Sequence, residues 1–209
     1  FPRAKGLLYD PGIGTPLIFY WKNKLKSGVY PELTNVIDLM PTLLEMTGIG
    51  YPDSIHGKSL FNVIKGSRYP YREYTYSERN WHDLDDHIRA VRTSRYKYIR
   101  NYLPWRPYTL PADVFNSPTF KAMRLAKRNN RLSEAERLIF RWPRPSEELY
   151  DLKKDPNEYY NLANRKEYKN IKNSLLDNLK HWEEQTNDVP VNKRKADKYN
   201  YNKLFKNSP

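Results

Sequence analysis

Residues 87–92 (HIRAVR) and 96–101 (YKYIRN) are two strand-like runs separated only by Thr93, Ser94 and Arg95, and no other feature narrows the fold as far. Val, Ile, Tyr and Thr suit a pleated, half-buried surface, and three residues make a hairpin-length connection. In the second run Lys97, Ile99 and Asn101 alternate with Tyr96, Tyr98 and Arg100, which predicts an antiparallel sheet with one packed face. A further run, residues 72–78 (REYTYSE), precedes them, and a short strand is expected around Leu149 and Tyr150.

Helices are expected around this sheet. Val36, Leu39, Met40, Leu43 and Leu44 fall at the spacing of an amphipathic helix. Pro41 would cost about 3 kcal/mol inside one. A turn near Asp38 and a helix from Pro41, closed by Gly48, resolve the conflict and make Asp38 a local cap. Ser117 before Pro118 caps a helix through about Lys127, and Ser133 with Glu136 forms a capping box for another through Phe140. The last helix follows Asn164 and Glu167, read as a capping pair. It carries Tyr168, Ile171, Leu175, Leu176, Leu179 and Trp182 on one face, so it packs on the sheet.

Composition limits the function classes. The 209 residues are 38% hydrophobic, enough for the core of one ordinary domain or two small ones. No run approaches the roughly 18 to 20 apolar residues that cross a bilayer. Cysteine is absent, which excludes disulfides, thiolate nucleophiles and zinc–thiolate sites. The net charge is +13, and residues 191–209 hold six Lys or Arg against one Asp, a basic tail expected to be extended. The rest stays basic, which suits an anionic partner or a merely solvated surface. No RNP-type motif, helix-turn-helix pattern or zinc spacing supports nucleic acid. The first residue is Phe1, with no charged-then-apolar leader, and the chain reads as a piece of a longer protein.

Three stretches carry candidate site residues. Residues 1–16 (FPRAKGLLYDPGIGTP) place Lys5 before Gly6, then a tight turn at Tyr9, Asp10, Pro11 and Gly12 and a strand-like run over residues 15–21. Lys5 is a cation at the mouth of a buried strand, or a solvated loop lysine. Residues 79–86 (RNWHDLDD) form a polar loop rich in ligand-type side chains: His82 and Asp83, flanked by Glu78 and Arg79, could orient a polar substrate or be knitted by local salt bridges. One His among carboxylates lacks the spacing of a dedicated metal cage. His56, beside Gly57, is a minor candidate.

Residues 148–152 (ELYDL) with Asp155, Pro156, Asn157, Glu158, Asn161, Leu162 and Ala163 resemble the C-terminal signature of the type I sulfatases of the alkaline phosphatase superfamily. Lys5 and Gly6 with Tyr9, Gly12 and Pro16, then residues 38–44 (DLMPTLL) with Gly48, and residues 57–60 (GKSL) match that family in the same order. Residues 89–93 (RAVRT), 117–120 (SPTF) and 144–150 (RPSEELY) are most similar to its sulfamidase (heparan N-sulfatase) branch. The resemblance implies an α/β class: residues 1–68 ending a catalytic α/β domain, residues 69–190 an antiparallel-sheet subdomain with a packed C-terminal helix, and residues 191–209 the tail.

The resemblance further implies a hydrolase of sulfate esters or sulfamates on a sulfated glycan such as N-sulfoglucosamine of heparan. It would use a formylglycine made from Cys or Ser, and a calcium ion. Lys5 matches the family's sulfate-binding cation, and His82 with Asp83 resembles a His–Glu pair of the substrate wall. The nucleophile and the metal ligands are expected upstream of Phe1, so the 209 residues alone are expected to be inactive and to hold no metal. Implied partners are the sulfated saccharide, the remaining N-terminal part of the protein and, as a further candidate, a second copy of the chain. Nucleic acid and membrane are not implied. The implied compartment is secreted, periplasmic or lysosomal. A phosphohydrolase or phosphonate hydrolase of the same superfamily and a non-catalytic polyanion-binding module are the rival readings.

Overall fold

The computed structural model describes residues 3–66, 71–83 and 85–188. In chain order its elements are α1 (Asp10–Ile13), α2 (Leu39–Met46), α3 (Phe61–Ile64), β1 (Thr75–Trp81), β2 (Asp85–Arg92), β3 (Tyr96–Asn101), α4 (Ala112–Phe115), α5 (Pro118–Arg128), α6 (Glu134–Arg137), β4 (Glu147–Asp151) and α7 (Lys169–Gln185). The basic tail expected over residues 191–209 lies outside the described residues, as does most of the boundary expected at residues 66–70. The chain divides into two compact units, residues 15–75 and residues 1–14 with 76–209. The opening segment therefore packs with the sheet, whereas the sequence grouped it with residues 15–68.

The sheet has the order β1-β2-β3-β4. β2 and β3 run antiparallel with Ala90 opposite Ile99 and Val91 opposite Tyr98, and Thr93 to Arg95 turn between them. β3 and β4 are also antiparallel, pairing Tyr98 with Leu149 and Ile99 with Glu148. One face carries Ile88, Ala90, Ile99 and Tyr150 into a core completed by Leu7, Leu8, Tyr9, Tyr108, Val114 and Phe120. α7 lies against β2 and β3 and buries Leu175 and Leu179. Both faces are thus covered, and the expectation of one packed face is corrected: Lys97, Tyr98, Ile99 and Asn101 are all buried. A lysine survives there because its ammonium is paired.

The local signals behave as their chemistry dictates, with three exceptions. Ser117 Oγ accepts the Phe120 amide, and Ser133 and Glu136 close their capping box. β1 begins and ends three residues later than residues 72–78, so Arg79, Asn80 and Trp81 are strand rather than loop. α7 starts at Lys169 after a 3-10 turn, without a side-chain cap from Asn164 or Glu167. The strand expected over residues 15–21 does not form, because no strand among the described residues pairs with it, and Ile18 and Tyr20 are exposed.

The unit of residues 15–75 is organised by Asp38, which is fully buried. Its carboxylate accepts the Asn35 amide at 2.8 Å, the Lys58 amide at 2.9 Å and an Arg72 N–H at 2.6 Å. Asp38 therefore caps the turn at Val36–Asp38, as expected, and also ties it to the loop at Lys58. That loop passes so close that a Cβ on Gly57 would sit 1.9 Å from the Ile37 carbonyl oxygen. α2 follows with Pro41 in its first turn, and Gly48, at φ +72°, lies just past its end. Its predicted core stripe is largely uncovered: Val36, Met40 and Leu43 are exposed.

Candidate functional site

The opening segment reaches its position through buried polar groups of the sheet. Tyr9 donates its hydroxyl proton to Glu148 Oε2 at 2.8 Å, and Tyr150 donates to the same oxygen at 2.5 Å. Asn101 holds the other Glu148 oxygen at 2.7 Å. Burial, and then the Glu148 charge, push the Tyr9 hydroxyl well above the usual tyrosine range, so it remains a donor. One turn on, the Asp10 amide donates to Glu158 Oε2 at 2.6 Å, and the buried Lys97 ammonium reaches Leu8 O at 3.2 Å, Glu158 Oε1 at 2.8 Å and Asp10 Oδ1. Arg3 donates to the Asn157 and Glu158 carbonyls and covers the Tyr9 ring.

β1 is fixed to the same segment by Arg79. Its guanidinium donates to the Gly6 carbonyl and to the Thr109 carbonyl and hydroxyl. Thr109 in turn donates to Asp86 at 3.0 Å, and Asp86 forms a fully buried two-point pair with Arg144 at 2.7 and 3.0 Å. Gly6 adopts φ +78° with Pro111 pressed against it, a backbone that a side chain would strain.

Between these walls lies a cavity of about 450 Å³. Gly6, Leu7, Leu8 and Ile13 line it from the opening segment, and Glu78, Asn80, Trp81 and His82 from β1 and its end. Of the six residues singled out in the sequence, Glu78, Arg79 and His82 therefore meet at one cavity. Arg79 is buried, with its terminal nitrogens committed to carbonyl and hydroxyl oxygens, and so holds the two walls together. Lys5 precedes the cavity residue Gly6. Its ammonium pairs with Asp113 at 2.5 Å, and its side chain remains 53% exposed. That hydrogen bond holds the Asp113 carboxyl below the usual carboxylate range.

His82 Nδ1 lies 3.3 Å from Asp83, whose carboxylate also accepts the Ala112 amide at the start of α4. Glu78 is 3.7 Å from the buried Arg89, which Asp188 holds at 2.5 Å. His56 is exposed, belongs to the unit of residues 15–75 and does not line this cavity. Sequence reasoning missed Asn80 and Trp81, which a tryptophan left among polar residues could have signalled, and Asp113, which carried no signal.

A family described as "N-sulphoglucosamine sulphohydrolase, C-terminal" matches residues 3–119, more than half of the chain. The chain belongs to this family. Among curated relatives, an "Ulvan-active sulfatase" of Formosa agariphila is 38% identical over 184 residues, covering 87% of this chain and 30% of the relative. The "N-sulphoglucosamine sulphohydrolase" of Homo sapiens is 26% identical over 207 residues, covering 90% of this chain and 40% of that protein. The chain thus spans about a third of the length of the curated relatives it matches. A solved structure described as in complex with its substrate D-glucosamine-2-N,6-O-disulfate shares the fold, with a TM-score of 0.50 at 20% identity over 76% of this chain and 25% of its own.

The fold fits the C-terminal portion of such a protein: helices around a small antiparallel sheet, with a C-terminal helix packed on it. Among the described residues no three His, Asp or Glu side chains converge as metal ligands.

Proposed function

We propose that this chain is the C-terminal part of a hydrolase that removes sulfate from a sulfated glycan, as an ester or as a sulfamate such as that of N-sulfoglucosamine. One observation carries the reading: in a member of this family, the opening segment bearing Lys5 and the end of β1 bearing Glu78 and His82 are braced against each other around one cavity. In this reading Lys5 stabilises negative charge on the sulfate oxygens, where a fixed cation acts most strongly as charge develops. His82, oriented by Asp83, and Glu78 hydrogen-bond the saccharide, and Arg79 keeps the walls in register. This part of the protein supplies charge, hydrogen bonds and shape, while formylglycine and calcium belong to its remaining part.

The exposed stripe of Val36, Met40 and Leu43 supports packing of residues 15–75 against that remaining part, since a helix face of this kind is normally buried. No helix among the described residues is long and apolar enough to cross a membrane. The family's glycan chemistry supports a secreted, periplasmic or lysosomal setting.

The test is Lys5→Ala in the full-length protein, assayed on a sulfated monosaccharide. A fall in kcat/KM of about a hundredfold is expected, the scale of losing one charge-stabilising group, with an unchanged melting temperature. Lys5→Arg should retain part of the activity. Unchanged kinetics in Lys5→Ala would remove Lys5 from the site. A salt series of binding to sulfated glycan and to DNA separates this reading from a general polyanion binder, which would prefer neither.

A further inference from the structure

Lys5 does not line the cavity, although Gly6, the next residue, does. Its ammonium lies 2.5 Å from the carboxylate of Asp113, the second residue of α4, and the two side chains are 53% and 63% exposed. Among the described residues, neither group has a second ion-pair partner.

The two charges are held with unequal firmness. Pro111 presses on Gly6, the Ala112 amide donates to Asp83, and Val114 is buried in the core. Asp113 is thus carried by a short segment tied on both sides of it, whereas Lys5 bears its charge at the end of a flexible four-carbon stem. When the pair opens, the ammonium is the group free to move. A carboxylate at this distance offers the ammonium the same kind of contact as a sulfate oxygen, an anionic hydrogen-bond acceptor. The pair faces solvent, so water screens it and it adds little to stability. A second anion can therefore displace it.

We infer that Asp113 competes with the substrate's sulfate group for Lys5: it holds the ammonium beside the cavity until a sulfate takes the ammonium from it. This rests on the function proposed above and adds to it a residue that sets specificity by lowering affinity for anions. A loosely placed anion gains too little from Lys5 to displace the carboxylate, whereas a sulfate group that further contacts hold in place succeeds. Removing Asp113 should accordingly tighten binding, the opposite of removing a group that merely positions Lys5.

The experiment uses the full-length protein as wild type, Asp113→Asn, Lys5→Ala and the double variant. Calorimetric titration with inorganic sulfate gives the dissociation constants, and steady-state kinetics on glucosamine N-sulfate or glucosamine 6-sulfate, whichever the wild type hydrolyses, gives KM and kcat. In Asp113→Asn the dissociation constant for sulfate should fall about threefold, the scale of one exposed ion pair. KM should fall with it, and kcat should change less. In the Lys5→Ala background Asp113→Asn should give no such gain. Thermal melts should match the wild type, and Asp113→Ala supplies the same reading should Asp113→Asn fail that check. If free sulfate binds too weakly for calorimetry, the KM values decide.

A rise in KM or in the sulfate constant of Asp113→Asn would show that Asp113 positions Lys5 productively and would overturn the competition, as would no change. An equal gain in both backgrounds would mean simple repulsion of the anion by Asp113 and would also overturn it. Weaker sulfate binding in Lys5→Ala with no gain from Asp113→Asn overturns the competition and leaves the cation assignment standing. Unchanged sulfate affinity and kinetics in Lys5→Ala overturn the cation assignment, and the competition with it.

Discussion

Lys97→Met tests whether the opening segment is held by buried charge. Lys97 has no exposed side-chain surface, and its ammonium meets Glu158 at 2.8 Å, the Leu8 carbonyl at 3.2 Å and Asp10. Methionine fills nearly the same volume, so the change removes charge with little loss of packing. Asp10 keeps Arg92 at 3.3 Å, but Glu158, fully buried, is left with the Asp10 amide. Breaking a buried pair from one side costs about 3–5 kcal/mol.

The loss should depend on pH in a defined direction. Burial already pushes the Glu158 carboxyl above the usual carboxylate range against the pull of Lys97, and removing Lys97 raises it further. A raised carboxyl binds protons more tightly in the folded than in the unfolded state. Its penalty is thus fully present above the folded value and fades as pH falls towards the unfolded value. Urea unfolding of the full-length protein at pH 7.5 and pH 5 should show a deficit that shrinks at the lower pH, with hydrogen exchange accelerated first over residues 7–13. Adding Glu158→Leu should restore most of the stability, because an apolar pair tolerates burial. A deficit below about 1 kcal/mol, or one that ignores pH, would refute the reasoning.

Tyr9→Phe removes one donor from Glu148 while Tyr150 and Asn101 remain, so urea melts should show a loss of about 1–2 kcal/mol. Asp86 should set an acid limit. Burial raises its carboxyl, but the hydrogen bonds and charge of Arg144, with the charge of Arg79, outweigh this and hold it below its usual range. The stability it adds is present above the unfolded value near 3.9 and is lost as pH falls through the folded value, so Asp86→Asn should be less stable at neutral pH and show a flatter acid limb in thermal melts between pH 5 and 2. Gly57→Ala drives a methyl group into the Ile37 carbonyl and should cost at least about 1–3 kcal/mol, read by thermal shift or loss of soluble protein.

The sheet was legible because its signal is local. Alternating Tyr, Val and Ile with a three-residue turn specify β2 and β3 without reference to the rest of the chain, and Ser117 and Ser133 announce their helices by the same kind of short-range hydrogen bond. Burial of Lys97 was not legible, since only the fold brings Glu158 and Asp10 to it across 61 and 87 residues of chain. The run over residues 15–21 misled for the opposite reason. Its composition suits a strand, but a strand exists only where another supplies the hydrogen bonds. The helical spacing of α2 was legible too, but the core packing it predicts is not met among the described residues, where Val36, Met40 and Leu43 stay exposed.

The candidate site divides along the same line. Several of the residues that made the family recognisable are ones that the fold cannot replace: Glu148, Glu158 and Asp38 accept several hydrogen bonds each, Tyr150 donates to Glu148, and Gly57 allows a backbone approach that no side chain permits. They are anchors, and none of them lines the cavity. Lys5, Glu78, Trp81 and His82 are presented by those anchors, remain largely open to solvent and have neighbours that a sequence does not reveal. A signature of this kind therefore identifies the scaffold more securely than the chemistry. The test of function must fall on the exposed residues at the ends of the anchored segments, where a substitution can change binding while the fold stays intact.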